Sequence, residues 1–330
     1  MVTLDDLTRV PEAALRRLSR LVPKGPRPAI LMYHRIADDS FDPWGLAVGR
    51  ANFAEQIHWL KANRTMLPLG EFAARFARDS LPRDAVALTF DDGYSCTAEV
   101  AAPLLEQAEL PATVFVPGEL IDRGAPFWWD ELRSLVFDFD GSTIDLDGQR
   151  ILLGRKREDD GRWRPGAPPM TPRQVAFHRL WDMLHDKRPA ELDAAMEQLR
   201  SQTGLGGNGG AIRPMSPAQV RGMASERIEI GSHALTHPWL SALEPAEKRR
   251  EIEQSMDHCE RLSGQPPTSF AYPYGDFDEE SERLVEDSGF DCACTTEGRT
   301  VGPKSRQFAL PRVQAGNWSA ARLRRALSCL

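Results

Sequence analysis

Short apolar runs punctuate the chain at 29–33 (AILMY), 86–90 (VALTF), 112–116 (ATVFV), 228–231 (IEIG) and 269–272 (SFAY). A strand covered on both faces has no polar side to show, so such runs predict buried parallel strands. Between them the spacing becomes helical. Residues 52–63 (NFAEQIHWLKAN) open on Asn52, a favourable N-cap, and set apolar side chains three and four apart. Residues 98–108 and 245–263 behave similarly. Strand–helix alternation over this length predicts a parallel α/β fold, a barrel or an open sheet.

Residues 122–225 break the alternation. Within them 143–153 (TIDLDGQRILL) predicts a hairpin turning at Asp147-Gly148. Helices are expected over 171–185 and 189–202, followed by SQTGLGGNGG, a glycine-rich loop expected to be mobile. The whole stretch reads as an insertion in a single domain spanning 1–330.

Composition narrows the function classes. A net charge of -7 argues against general nucleic-acid binding, which needs a basic face for phosphates. The first 25 residues hold no apolar run long enough for a secretory leader, and no later segment approaches a membrane span. A cytoplasmic protein is expected. The stretch 15–22 (LRRLSRLV) alternates basic and apolar residues. It predicts a short amphipathic helix packed on the protein, with contact to the inner-membrane surface as the alternative. The five cysteines are too scattered and odd in number for a disulfide framework. Cys292 and Cys294 share one side of a strand-like stretch and read as small buried hydrophobes rather than a metal pair.

Polar residues follow the apolar runs in a repeated grammar. His34 follows AILMY, Asp91-Asp92 follows VALTF, His233 and His237 follow IEIGS, and Pro273-Tyr274-Gly275 follows SFAY. In a parallel barrel the carboxyl ends of the strands share one face, where active sites lie. Four segments distant in sequence would therefore converge. One helical turn would put both imidazoles of GSHALTHP on one side. By itself that pair suits a divalent metal or a surface or N-cap role equally. Asp91 and Asp92 repel each other unless something compensates; a cation bound to one would do so, leaving the other to take a proton from water. Gly93 lets the backbone turn sharply after them.

VALTFDDGY, IGSHALTHP and FAYPYG together resemble the first three motifs of the polysaccharide deacetylases, the carbohydrate esterase family 4 or NodB-homology group. The resemblance covers roughly 27–121 and 226–316. It implies a distorted (β/α) barrel that hydrolyses an N-acyl group, usually N-acetyl, on an amino sugar. Carried over by position, it makes Asp92, His233 and His237 metal ligands and Asp91 the general base. The backbone N–H of Tyr274 becomes an oxyanion donor, and Pro273 and Gly275 flank it. The metal implied is a divalent ion, zinc foremost, with cobalt, nickel or manganese as alternatives.

Three positions depart from the family pattern. Ala234 stands where a Ser or Thr hydroxyl braces the histidine loop. Ala271 stands where an Arg orients the base; Arg312, in FALPRV, is the candidate to reach that place from another strand end. The late catalytic histidine is missing, since none follows His258. His34 is the natural replacement, because a family branch similar to the poly-N-acetylglucosamine deacetylases begins with such a Y-H segment. Amide cleavage needs an acid for the leaving nitrogen, and an imidazole can serve near neutral pH.

Trp128 and Trp129 (PFWWDEL), Trp44 and Trp239 are candidates for stacking on sugar rings, with packing as the plainer role. The expected partner is an N-acylated amino sugar in a glycan, a lipid- or nucleotide-linked precursor, or a small metabolite. Deformylation or hydrolysis of another amide on the same scaffold is one alternative. An inactive carbohydrate-binding protein is another.

Overall fold

The computed structural model describes residues 25–163, 166–185, 187–206 and 212–329. The amphipathic stretch 15–22 and the glycine run 207–211 lie outside the described residues. In chain order the first half holds β1 (Ala29–Tyr33), β2 (Arg35–Ile36), β3 (Ala47–Val48), α1 (Arg50–Asn63), β4 (Thr65–Met66), α2 (Leu69–Ala77), β5 (Ala85–Phe90), α3 (Ala102–Ala108), β6 (Ala112–Val116) and α4 (Gly118–Arg123). Next come α5 (Trp128–Phe137), the strands β7 (Thr143–Leu146) and β8 (Gln149–Leu152), α6 (Pro172–Leu184), α7 (Pro189–Thr203) and α8 (Pro217–Met223). The chain then returns through β9 (Ile228–Ser232), α9 (Pro245–Ser263), β10 (Ser269–Ala271), α10 (Glu279–Asp287), β11 (Cys292–Cys294), β12 (Val313–Gln314) and α11 (Ala320–Cys329).

The apolar runs form a parallel sheet in the order β11-β10-β9-β6-β5-β1-β12, with β4 added beside β5. Every residue of β1, β5 and β6 is buried, as expected of strands covered on both faces. The sheet curls until its edges are joined. Leu310 exchanges backbone bonds with β11, through Leu310 N to Ala293 O at 2.8 Å and Thr295 N to Leu310 O at 2.9 Å. A few residues on, Ala315 N bonds to Met32 O of β1 at 2.9 Å. The architecture is therefore the distorted α/β barrel expected, and the carboxyl ends of its strands open on one face.

The helices pack outside this sheet. α1 buries Phe53, Gln56, Ile57 and Leu60, one stripe at spacings of three and four. Its start corrects the N-cap expectation: Phe53 N–H already bonds to Gly49 O, so Asn52 lies inside the first turn and its amide instead reaches Asn317. The expected 98–108 helix opens with a π-helical turn, Thr97–Ala101, before α3. Among the described residues no helix is long and apolar enough to cross a membrane.

α5, α6, α7 and the β7–β8 hairpin enclose a second apolar cluster, with Leu132, Leu135, Ile144, Ile151, Phe177, Leu180 and Leu199 at its centre. The hairpin turns at Asp147 (φ +50°) and Gly148 (φ +74°), as Asp-Gly favours. Fully buried Arg173 ties the cluster together by donating to the carbonyls of Val136, Gly141 and Gly154.

Candidate active site

His34, Asp91, Asp92, His233, His237 and Tyr274 line one cavity at the carboxyl ends of the strands. The four predicted segments do converge there. The backbone that delivers them is unusual. Asp92 (φ +69°), Ala234 (φ +60°), His237 (φ +57°) and Tyr274 (φ +57°) all adopt left-handed conformations. A non-glycine residue in that region costs about 1–3 kcal/mol and persists where the surroundings hold it, characteristically at functional sites. Gly93 follows Asp92 with φ +69°, and a Cβ there would press on Val116 and Ile121 at 3.0–3.1 Å.

The two histidines meet by a different route from the one predicted. Residues 233–237 form no helical turn. The left-handed residues at 234 and 237 fold the loop back instead, bringing the ring centroids to 4.7 Å. The Glu251 carboxylate from α9 fixes this loop, accepting from Leu235 N at 3.0 Å, Thr236 N at 2.9 Å and Thr236 Oγ1 at 2.8 Å. The brace that Ala234 cannot supply thus comes from a helix.

Asp92 Oδ1 lies 3.4 Å from His233 Nε2 and 3.3 Å from His237 Nε2. Tetrahedral zinc with bonds of about 2.0–2.1 Å needs its ligand atoms roughly 3.3 Å apart. The donor set of one carboxylate and two imidazoles suits the same ion, and the three residues are the one such buried cluster among the described residues. Burial pushes His237 below its ordinary pKa, which favours the neutral, ligating imidazole. For Asp92, burial acts upward, but hydrogen bonds from His233 and His237 overcome it and hold the carboxyl well below the usual range. His233 Nδ1 bonds to the Ala271 carbonyl at 2.7 Å, which orients that ring from the second side.

Asp91 is treated differently. Fully buried Arg312 grips it with two parallel bonds, Nη1 to Oδ1 and Nη2 to Oδ2, each 2.6 Å. Arg312 is itself anchored on Thr295 O at 2.9 Å and Thr89 Oγ1 at 3.1 Å. Burial would raise the Asp91 pKa; the Arg312 charge, then His233, reverses this and keeps the carboxyl below its ordinary value. Arg312, just before β12, thus makes the contact with Asp91 that Ala271 has no side chain to make.

The aromatic candidates separate into different roles. Trp44 and Trp129 line the cavity, while Trp128 and Trp239 line a neighbouring hollow that shares His237 and Tyr274 with it. Trp129 is only 3% exposed, and its ring packs on His237 at 4.7 Å, so it is no open sugar platform. Trp239 stacks flat on Tyr274 at 4.4 Å. Pro273 and Gly275 do not line the cavity; Gly275 (φ +73°) is required because a Cβ would collide with Thr296. Cys292 and Cys294 are buried with their thiols pushed up by burial, as small core residues.

Three cavity residues escaped the sequence reading: Leu46, Trp181 and Thr296. Trp181 lies on α6, against Trp44 at 4.3 Å and Trp128 at 4.6 Å. Its place four residues after Phe177 is that of any core-facing helix position, so its pattern carried no signal.

Comparisons with known proteins agree with this geometry. The family model described as "Polysaccharide deacetylase" matches residues 78–138 and 194–293. YxkH of Bacillus subtilis (strain 168), a provisionally named polysaccharide deacetylase, is 23% identical over 288 residues, 86% of this chain and 70% of its own. The poly-beta-1,6-N-acetyl-D-glucosamine N-deacetylase of Escherichia coli (strain K12) is 31% identical over 98 residues, 29% of this chain and 14% of its own. The fold is similar to that of the Streptococcus pyogenes deacetylase PplD in complex with acetate. That match has a TM-score of 0.59 and 17% identity, and it covers 91% of this chain and 98% of the other.

Proposed function

Since the chain belongs to the polysaccharide deacetylase family, we propose that it is a metal-dependent hydrolase that removes the N-acetyl group from an amino sugar of a glycan or glycan precursor. The observation that carries this reading is the pairing of a complete ligand triad with an Arg312-clamped Asp91 in one cavity. A protein that only bound sugar would have no use for the buried carboxylate, its cation and the ligand set together.

Asp92, His233 and His237 would hold a divalent ion, zinc in this proposal. Such an ion supplies a Lewis acid for the amide carbonyl and activates water at neutral pH. Asp91 takes the proton of the attacking water. Arg312 keeps that carboxylate ionised and aligned through its two bonds. The Tyr274 N–H donates to the oxygen that becomes negative as the carbonyl is attacked. His34, on the wall of the same cavity, gives a proton to the departing amine. Trp44, Trp129 and Trp181 keep the cavity apolar around these groups. Residues about 122–225 are, in this proposal, an insertion that forms the substrate wall of a single domain.

The test is acetate release from N-acetylglucosamine and its oligomers by metal-stripped protein, with and without added zinc. Release that depends on zinc supports the proposal. Equal release in chelator, or N-formyl substrates cleaved while N-acetyl ones are not, would contradict it.

A further inference from the structure

The two histidines of the triad are held in different ways. His233 has its Nδ1 tied to the Ala271 carbonyl, whereas His237 is buried with Nδ1 unpartnered. Metal-binding imidazoles are normally oriented through that second nitrogen. For His237 the orientation is left to packing, with Trp129 at 4.7 Å and Tyr274 at 4.4 Å.

Trp129 is itself pinned. Its Nε1–H donates to the Tyr94 hydroxyl at 2.8 Å, and that hydroxyl donates to Asp130 Oδ2 at 2.7 Å. Phe127 stacks on Trp129 at 4.8 Å and meets Tyr94 edge-on at 5.1 Å. Arg35 closes the far side, 3.8 Å from Asp130 Oδ1 and 5.7 Å from the centre of the Tyr94 ring. Arg35 is held in turn by Asp39 at 2.9 Å and Asp42 at 3.0 Å. Tyr94 also lies two residues beyond Asp92, at the end of the left-handed turn through Asp92 and Gly93. One hydroxyl thus joins the turn that carries the carboxylate ligand to the indole that packs on the imidazole ligand.

We propose that Tyr94, Trp129 and Asp130 form a positioning unit that sets the spacing of Asp92 and His237 and so the affinity of the metal site. The inference rests on those two residues being ligands. None of the three supplies an atom to the triad. Removing the hydroxyl would leave the Trp129 N–H without its acceptor and the Asp130 carboxylate without its donor, both in the interior. Trp129 would then be free to shift, and His237 has no hydrogen bond at Nδ1 to resist following it.

The experiment is zinc affinity of the folded protein, measured by competition with a chelating dye well below the unfolding temperature. Tyr94→Phe should weaken zinc binding about 10–100-fold, the usual effect of losing a group that orients a ligand. Trp129→Phe, which keeps a ring but loses the N–H, should weaken it less. Asp130→Asn retains a carbonyl oxygen for the Tyr94 hydroxyl and should restore near wild-type affinity where Asp130→Leu does not. Unchanged affinity in folded Tyr94→Phe would overturn the proposal; should that variant fail to fold, unchanged affinity in Trp129→Phe would do the same. Wild-type protein that binds no zinc, or His237→Ala that binds it normally, would instead remove the metal assignment beneath both.

Discussion

The cavity has two unlike walls. One is built from strand ends of the barrel and carries His34, Asp91, Asp92, His233 and His237, with Arg312 buried behind Asp91. The other is built from helices α5 and α6 of the second apolar cluster and carries Trp129 and Trp181. The strand wall offers carboxylates and imidazoles, which the proposed function makes ligands and proton carriers; the helical wall offers indole rings. The division follows from what each framework does well. Strands bonded on both edges hold polar groups at fixed separations, as a metal or a proton transfer demands. A helical layer with its own core supplies large rings to the cavity, and one of them, Trp129, also packs on His237.

Within the strand wall itself, two neighbouring carboxylates are handled in opposite ways. Asp91 is matched by the permanent cation of Arg312, whereas Asp92 faces the imidazoles of His233 and His237 and, in the proposed function, would be completed by a divalent ion. In the proposed function one stays ionised and aligned while the other coordinates. Their roles therefore divide by partner rather than by position in the strand.

If the walls differ as described, damage to the strand wall should be the more severe. The largest loss is expected from His237→Ala, which should eliminate stoichiometric zinc in elemental analysis and bring deacetylation down to background. Full metal content in that variant would take His237 out of the site.

Arg312→Gln should come next. Removing one partner of a buried pair costs roughly 3–5 kcal/mol, readable in denaturant unfolding. The pH dependence should change with it. In the wild type, burial is outweighed by Arg312, so the Asp91 pKa is depressed. A depressed carboxylate contributes stability above its unfolded value of about 4, lost only as pH falls through the lower folded value. Without Arg312 burial prevails and the pKa rises, so the acid limb of the rate should move to higher pH. An acid limb that stays in place would break the link between Arg312 and the base.

His34→Ala should keep the metal, lose the alkaline limb of the pH–rate profile, and lower amide turnover by about 10²–10⁴-fold. Esters with good leaving groups need little protonation and should be nearly spared. Equal loss on both substrates would make His34 a positioning residue. The smallest effect should belong to Trp181, the residue of the helical wall that does not touch a triad imidazole. Trp181→Ala should raise KM about three- to tenfold, in line with the 0.5–1.5 kcal/mol of an aromatic contact, with kcat little changed. A collapse of kcat there would erase the distinction between the walls.

What could be read from the sequence follows the same division. The runs AILMY, VALTF and ATVFV announce buried strands because a strand covered on both faces leaves no polar position. The residue at each strand end is then placed by topology, but the runs fit a barrel or an open sheet equally, and the barrel expectation came from the family resemblance. Trp181, Glu251 and the Tyr94–Asp130 bond escaped because their partners are remote in sequence and their local patterns are ordinary. The His233–His237 loop was misjudged as a helical turn. Spacing of four suggests one, and the left-handed residues that actually close the loop are Ala and His, which carry no glycine signature. The N-cap of α1 was missed by three residues for a similar reason: Gly49, with no side-chain cap, gives weaker sequence warning than Asn52.

The central claim is that the triad holds the metal while Asp91 moves the proton. The most direct test is a parallel titration of the wild type and Asp91→Asn with zinc, following binding and acetate release from an N-acetylglucosamine oligomer in the same samples. The account predicts that both proteins bind about one ion per chain. Wild-type release should rise with occupancy to a plateau, and the variant should stay about 10²–10⁴-fold below it at full occupancy. Near-normal release by Asp91→Asn, or wild-type release that does not follow zinc occupancy, would contradict it.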